Sequence, residues 1–195
     1  AILKDYGFTP ARYSAAFLAS HQIDPGSLGE RLLPFVSYIA LHNDWTHVGI
    51  NCLWLFAFGP IVARRFGTML FLLFFLVCGV AGAGAYLAFN WGSPEGMIGA
   101  SGAIAGLMAA GIRLLPGQAP WARPEETPMA PLFSRQVLMF SLIWVAINLA
   151  TGLTGFGMDA GVQIAWQAHL GGYVVGLLLA SACDAVRPRQ KAPIP

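Results

Sequence analysis

Of 195 residues, 56% are hydrophobic and 10% are charged, whereas a soluble domain of this size carries about 25% charged residues; water is excluded as the main solvent. The formal net charge is +2, with no basic stripe and no aromatic–basic interleaving, which excludes nucleic acid as a partner. Cys52, Cys78 and Cys183 are dispersed through apolar runs without CxxC spacing, so they form neither a disulfide framework nor a zinc site. They read as small packing residues, and no metal or other cofactor is expected.

The chain opens on Ala1 with no signal-peptide pattern, and further chain is expected before it. Residues 1–46 hold only short apolar runs. Ala15 to Ala19 is too brief to span, and the run from Leu32 to Leu41 is broken by Pro34. This region is expected to be an outer-surface loop with short helices. Five later segments reach the about 17–25 apolar residues a membrane helix needs: 47–63, 69–91, 97–115, 137–153 and 162–183. None alternates in polarity as a membrane β-strand would. The expectation is an all-α, polytopic membrane helical bundle with its core over 47–183 and a cytoplasmic tail over 184–195.

Orientation follows from the basic residues. Arg64 and Arg65 follow the first span, Arg113, Arg123 and Arg135 surround the loop between the third and fourth, and Arg187, Arg189 and Lys191 follow the fifth. The other two inter-span loops carry only Glu95 and Asp159. The basic side is read as cytoplasmic, and spans one, three and five start on the opposite side. Arg113 is expected to snorkel toward the interface.

Polar residues within spans are costly and tend to be functional, and four of them share one depth. His47 and Asn51 lie on one face at i, i+4, Ser101 about one turn into the third span, and His169 about two turns into the fifth. Such a set supports nucleophilic acyl transfer: a serine hydroxyl needs a base to take its proton, and neutral imidazole suits that task. The Asn51 amide, the His47 ring and the Ser101 backbone N–H could face an oxyanion. Asp159 is about ten residues before His169 in the outer loop, so a Ser–His dyad is expected rather than a triad. Asn148 is read as a packing residue, and Ser141 and Ser181 as bonded to their own helices. Gly102 with Gly106 and Gly172 with Gly176 form GxxxG pairs that would bring spans three and five together; Gly99 flanks the serine, and Gly111, deeper in the span, is expected to tolerate alanine. No strand precedes Ser101, which excludes the soluble hydrolase elbow.

These residues resemble the rhomboid family of intramembrane serine proteases. Gly99-Ala100-Ser101-Gly102-Ala103-Ile104-Ala105-Gly106 resembles its nucleophile motif. Ala168-His169-Leu170-Gly171-Gly172 with Gly176 resembles its base motif. His47-Val48-Gly49-Ile50-Asn51 resembles its HxxxN motif, with His42 matching a further histidine upstream. The resemblance implies a six-helix core whose first span would precede residue 1, leaving five here. It implies cleavage of transmembrane protein substrates near their outer ends, with Ser101 as nucleophile, His169 as general base, and Asn51 and His47 at the oxyanion site. It further implies an integral multi-pass protein of the bacterial inner membrane, active toward the non-cytoplasmic side. Two features depart from relatives. No Trp-Arg pair occurs in the first outer loop, and Ala105 stands where some relatives carry an aromatic ring over the histidine. An inactive rhomboid-like binding module would normally lack the serine or histidine, and a small transporter would continue its polar residues through the membrane; here they stop about halfway.

Overall fold

A computed structural model describes residues 5–115, 127–155 and 164–187. Arg123 and Asp159 and the positions beyond 187 fall outside these residues. Among the described residues, five longer helices make up the bundle: α1 (Trp45–Phe66), α2 (Thr68–Phe89), α3 (Ser101–Leu114), α4 (Arg135–Thr154) and α5 (Trp166–Val186). Four of them are long and apolar enough to cross a membrane, and the chain is an integral membrane protein. The fifth, α3, is shorter.

Local chemistry sets the ends of these helices. The Asp44 side chain accepts from the His47 backbone N–H at 2.8 Å and starts α1, as an aspartate N-cap does. Gly67 alone separates α1 from α2, with φ +77°, a conformation that favours glycine. Ser134 caps α4, and Gly155 ends it in the left-handed region.

The third apolar segment is helical over 14 residues only, not from 97. Met97 instead pairs with Phe8 in an antiparallel bridge, with N···O distances of 3.1 and 2.8 Å. Gly99 then turns with φ +118°, outside any helix. At 1.5 Å per residue α3 covers about 21 Å, against about 33 Å for α1 or α2. From Gly102 to Leu114 every residue of α3 is buried. The other helices sheathe it: Val62, Phe66, Phe74, Cys78, Ala180 and Cys183 pack around Leu107, Ala110 and Leu114, and Val137 and Tyr173 around Ala105, Ala109 and Ile112. Outward faces remain apolar, with Phe56 80% and Leu142 66% exposed, as a bilayer solvent requires.

Glycines set the spacing between α2, α3 and α5. A Cβ on Gly82 would lie 2.8 Å from the Ala168 carbonyl oxygen, and one on Gly102 would lie 3.2 Å from the same atom. A Cβ on Gly172 would collide with the Gly102 carbonyl oxygen, and one on Gly176 would sit 2.5 Å from that of Gly106. Helices α3 and α5 therefore run parallel at backbone contact, with α2 antiparallel across both.

The other end of the bundle is tied by arginines. Arg65 Nε and Nη2 grip the Asp184 carboxylate at 2.5 and 2.9 Å, and Nη1 donates to the Thr127 carbonyl at 2.8 Å. Arg113 does not snorkel: it is 4% exposed and donates to the carbonyls of Ala130 at 3.0 Å and Leu177 at 2.8 Å. Backbone acceptors within reach replace the water it would otherwise seek. The ends of α1, α3 and α5 and the approach to α4 thus lie together.

Without a Trp-Arg pair, the first loop is anchored by backbone and aromatic contacts. Besides the Phe8–Met97 bridge, Ala11 N donates to Ser93 O at 2.9 Å. The Phe8 ring lies among Tyr13, Phe35, Tyr38 and Tyr86.

Replacing Gly172 by Val should lower stability by about 1–3 kcal/mol, the usual range for overpacking, with Gly172→Ala milder. Gly111 is no neutral control, because its Cβ would meet Phe58 Cδ1 at 2.7 Å, whereas nothing lies within 4 Å of a Cβ on Gly84. Thermal unfolding in detergent should leave Gly84→Ala unchanged; equal melting of Gly172→Val and wild type would contradict the close α3–α5 contact.

Candidate active site

The short length of α3 makes Ser101 its first residue, rather than one a turn inside a span. His169 falls in the first turn of α5. Because the glycine contacts hold these helices together, the Ser101 Oγ and His169 Nε2 are 2.8 Å apart. Both side chains are half-buried. Ala168, just before the histidine, has its carbonyl wedged between Gly82 and Gly102, which fixes the height of His169 against Ser101.

The serine is approached from the other side by α1. Asn51 is buried, and its Nδ2 donates to the His47 carbonyl at 3.1 Å. A Cβ on Gly99 would lie 2.7 Å from His47 Nε2 and 3.7 Å from Asn51 Nδ2. The backbone leading into Ser101 therefore runs directly beside both polar groups, and only glycine leaves room there. His42 stacks edge-on against the His47 ring, with centroids 4.9 Å apart. Gly99 N donates to Tyr38 O at 2.9 Å, and Tyr38 Oη donates to Gly79 O at 2.8 Å, so one loop tyrosine ties the serine's turn to α2. Burial raises the Tyr38 phenol above its ordinary pKa, keeping it a neutral donor.

No side chain caps α3. The first N–H groups of a helix have no partner within it, so donors are available beside the serine hydroxyl.

Sequence reasoning missed Asn148. It is buried, and its Oδ1 lies 2.8 Å from His169 Nδ1 while Nδ2 donates to Trp166 O at 3.1 Å. The packing role expected for it is corrected: it is hydrogen-bonded to the histidine ring. The available signal was an amide in a membrane helix at the level of His169, since such a group must find a partner. Ser141 is also corrected. Its Oγ meets Tyr173 Oη at 2.8 Å rather than only its own helix, and Trp144 stacks on the same ring with centroids 4.2 Å apart.

The rhomboid domain matches residues 29–183, taking in every one of these groups. The chain belongs to the rhomboid family. It is similar to Rhomboid protease AarA of Providencia stuartii, 29% identical over 155 residues that cover 73% of this chain and 52% of the relative. It is also similar to Rhomboid protease GluP of Bacillus subtilis, 29% identical over 144 residues (74% of this chain, 24% of the relative). A third similarity is to Rhomboid protease GlpG of Yersinia pestis, 25% identical over 147 residues (75% of this chain, 46% of the relative). The rhomboid chain thus spans about half or less of the length of these curated relatives. Ala105 supplies no aromatic ring, and the His169 imidazole is held from α4 by Asn148.

Proposed function

We propose that this rhomboid chain is an intramembrane serine endopeptidase that hydrolyses peptide bonds of transmembrane protein substrates. The observation that carries this reading is the 2.8 Å contact between Ser101 Oγ and His169 Nε2 at the start of α3. The names of the similar proteins, all rhomboid proteases, support it.

In the proposed reaction Ser101 Oγ attacks the scissile carbonyl carbon while His169 Nε2 takes the hydroxyl proton. The carbonyl π pair moves onto oxygen, and the resulting oxyanion accepts from the Ser101 backbone N–H, Asn51 Nδ2 and the His47 ring. Collapse of the intermediate breaks the C–N bond as the imidazolium gives its proton to the leaving amine. Water then attacks the acyl-enzyme with His169 again as base, which frees the new carboxylate and restores Ser101. No metal or cofactor takes part in this scheme. A shallow outer site fits substrates entering from the membrane, since a helix must unwind before its carbonyl can reach a serine. The basic ends gathered by Arg65 and Arg113 support the opposite, non-cytoplasmic side as the side of cleavage, in a bacterial inner membrane.

Ser101→Ala and His169→Ala should each abolish cleavage of a helical transmembrane substrate in liposomes. The double variant should be no worse than either single one, because the pair acts as a unit. A fluorophosphonate should label Ser101 in the wild type only; near wild-type turnover by Ser101→Ala would remove the serine from the mechanism.

Asn51→Ala should lower kcat and leave KM nearly unchanged, by about 2.7–4 kcal/mol of transition-state stabilisation. A change confined to KM would make Asn51 a binding residue.

Cysteines introduced at Glu95 should react with impermeant reagents from the non-cytoplasmic side, and cysteines at Gln118 only after the membrane is permeabilised. The reverse pattern would invert the orientation and the side of cleavage.

A further inference from the structure

A histidine can take a proton from serine only in one of its two neutral forms, with the Nε2 lone pair directed at the hydroxyl. The form present is set by what faces the other ring nitrogen. In this molecule that partner is Asn148, and the bonds of its amide decide which atom faces the ring.

The Trp166 carbonyl lies 3.1 Å from one end of the Asn148 amide. A carbonyl oxygen only accepts, so the NH2 group must face it, and the assignment of the two ends follows from this bond. The other end, Oδ1, is then 2.8 Å from His169 Nδ1 and only accepts. Nδ1 must therefore carry the proton. Nε2 is left with its lone pair 2.8 Å from Ser101 Oγ, and the serine hydroxyl is the donor in that contact. A chain of three bonds from the Trp166 carbonyl to Ser101 has one consistent direction.

The surroundings fit such a task better than packing. Of the residues on α4, Val137 and Asn148 are the buried ones, and an apolar residue would fill the same space without the cost of burying an amide. One turn on from Asn148, Gly152 has no Cβ; one there would meet Trp166 Cγ at 2.5 Å and Cβ at 2.6 Å. The missing side chain lets the start of α5 lie against α4 closely enough for the amide to reach both Trp166 and His169.

We infer that Asn148 is a positioning residue for the proposed hydrolysis, holding His169 in the Nδ1–H form with Nε2 aimed at Ser101. The inference rests on the protease reading for its kinetic consequence, but its tautomer consequence stands independently of activity.

The test uses the full chain purified in detergent as wild type, Asn148→Leu, which keeps volume and removes the acceptor, and Asn148→Asp, which keeps an acceptor oxygen at the same reach. Asn148→Leu should lower kcat on a transmembrane substrate by about 100-fold with KM nearly unchanged, the lower range for loss of general-base action. Asn148→Asp should recover to within about tenfold of wild type. In protein labelled with 15N-histidine, the His169 resonances, assigned by their loss in His169→Gln, should report Nδ1–H in wild type and a shift toward Nε2–H in Asn148→Leu. Thermal melting monitors the fold throughout. Wild-type kinetics in Asn148→Leu, retention of Nδ1–H there, or equal loss of activity and melting in both variants would overturn the inference. If the wild type neither cleaves nor takes fluorophosphonate at Ser101, the protease reading falls, and Nε2–H dominance in that same wild type would overturn the role of Asn148 separately.

Discussion

Backbone-to-backbone contact between α2, α3 and α5 is the constraint on which the rest of this molecule depends. Lipid tails are as apolar as leucine, so helices in a bilayer gain little from burying apolar area and associate through close packing and hydrogen bonds. Here that packing is made by absent side chains. The Ala168 carbonyl occupies the space that a Cβ on Gly82 or Gly102 would take, and the Gly102 carbonyl the space of one on Gly172. Each dispersion contact is small, but many of them at this separation add up. The same glycines that hold the helices also fix the height at which a histidine on one meets a serine on the next.

Hydrogen bonding divides the bundle into two ends with different tasks. At the arginine end, every guanidinium bond described above runs to a carboxylate or a backbone carbonyl, and Arg113 and Arg65 serve as cross-braces between α1, α3, α5 and the segment before α4. At the serine end, the polar groups are smaller and mostly uncharged: Tyr38 spans from the first loop to α2, Asn51 bonds its own helix, and Asn148 reaches from α4 to α5. Neutral groups can be buried at modest cost when bonded, whereas charges need full pairing. The bracing therefore carries charge at the arginine end and avoids it beside the His169 ring.

Much of this was legible in the sequence. Apolar length revealed the membrane helices, GxxxG spacing revealed which of them touch, and depth arithmetic put Ser101, His169, His47 and Asn51 on one level. What stayed hidden has physical causes. Residues 97–100 are as apolar or small as helical ones, so composition gave no sign that α3 starts at Ser101; the Gly99 φ of +118° and the bridge to Phe8 are set by tertiary contact. That bridge uses main-chain groups, which carry no residue code, and so the anchoring of the first loop could not be read. Arg113 was misread because snorkelling and carbonyl bonding start from the same side chain and differ only in what the fold brings near. Asn148 was missed because its partner lies 21 positions away, on a helix whose rotation about its axis no periodicity specifies.

The burial of α3 from Gly102 to Leu114 has a consequence for how the protein meets its lipid. A transmembrane helix of about 21 Å would be badly mismatched to a hydrocarbon layer of about 30 Å, and the bilayer would have to thin around it. Enclosed by neighbours of about 30–33 Å, α3 presents no face to the lipid and imposes no such deformation. The thickness the membrane feels is set by the outer helices, and the depth of the serine by the inner one. These two lengths can vary independently, so a lineage could move to a thicker or thinner membrane by altering its lipid-facing helices while Ser101 and His169 kept their place.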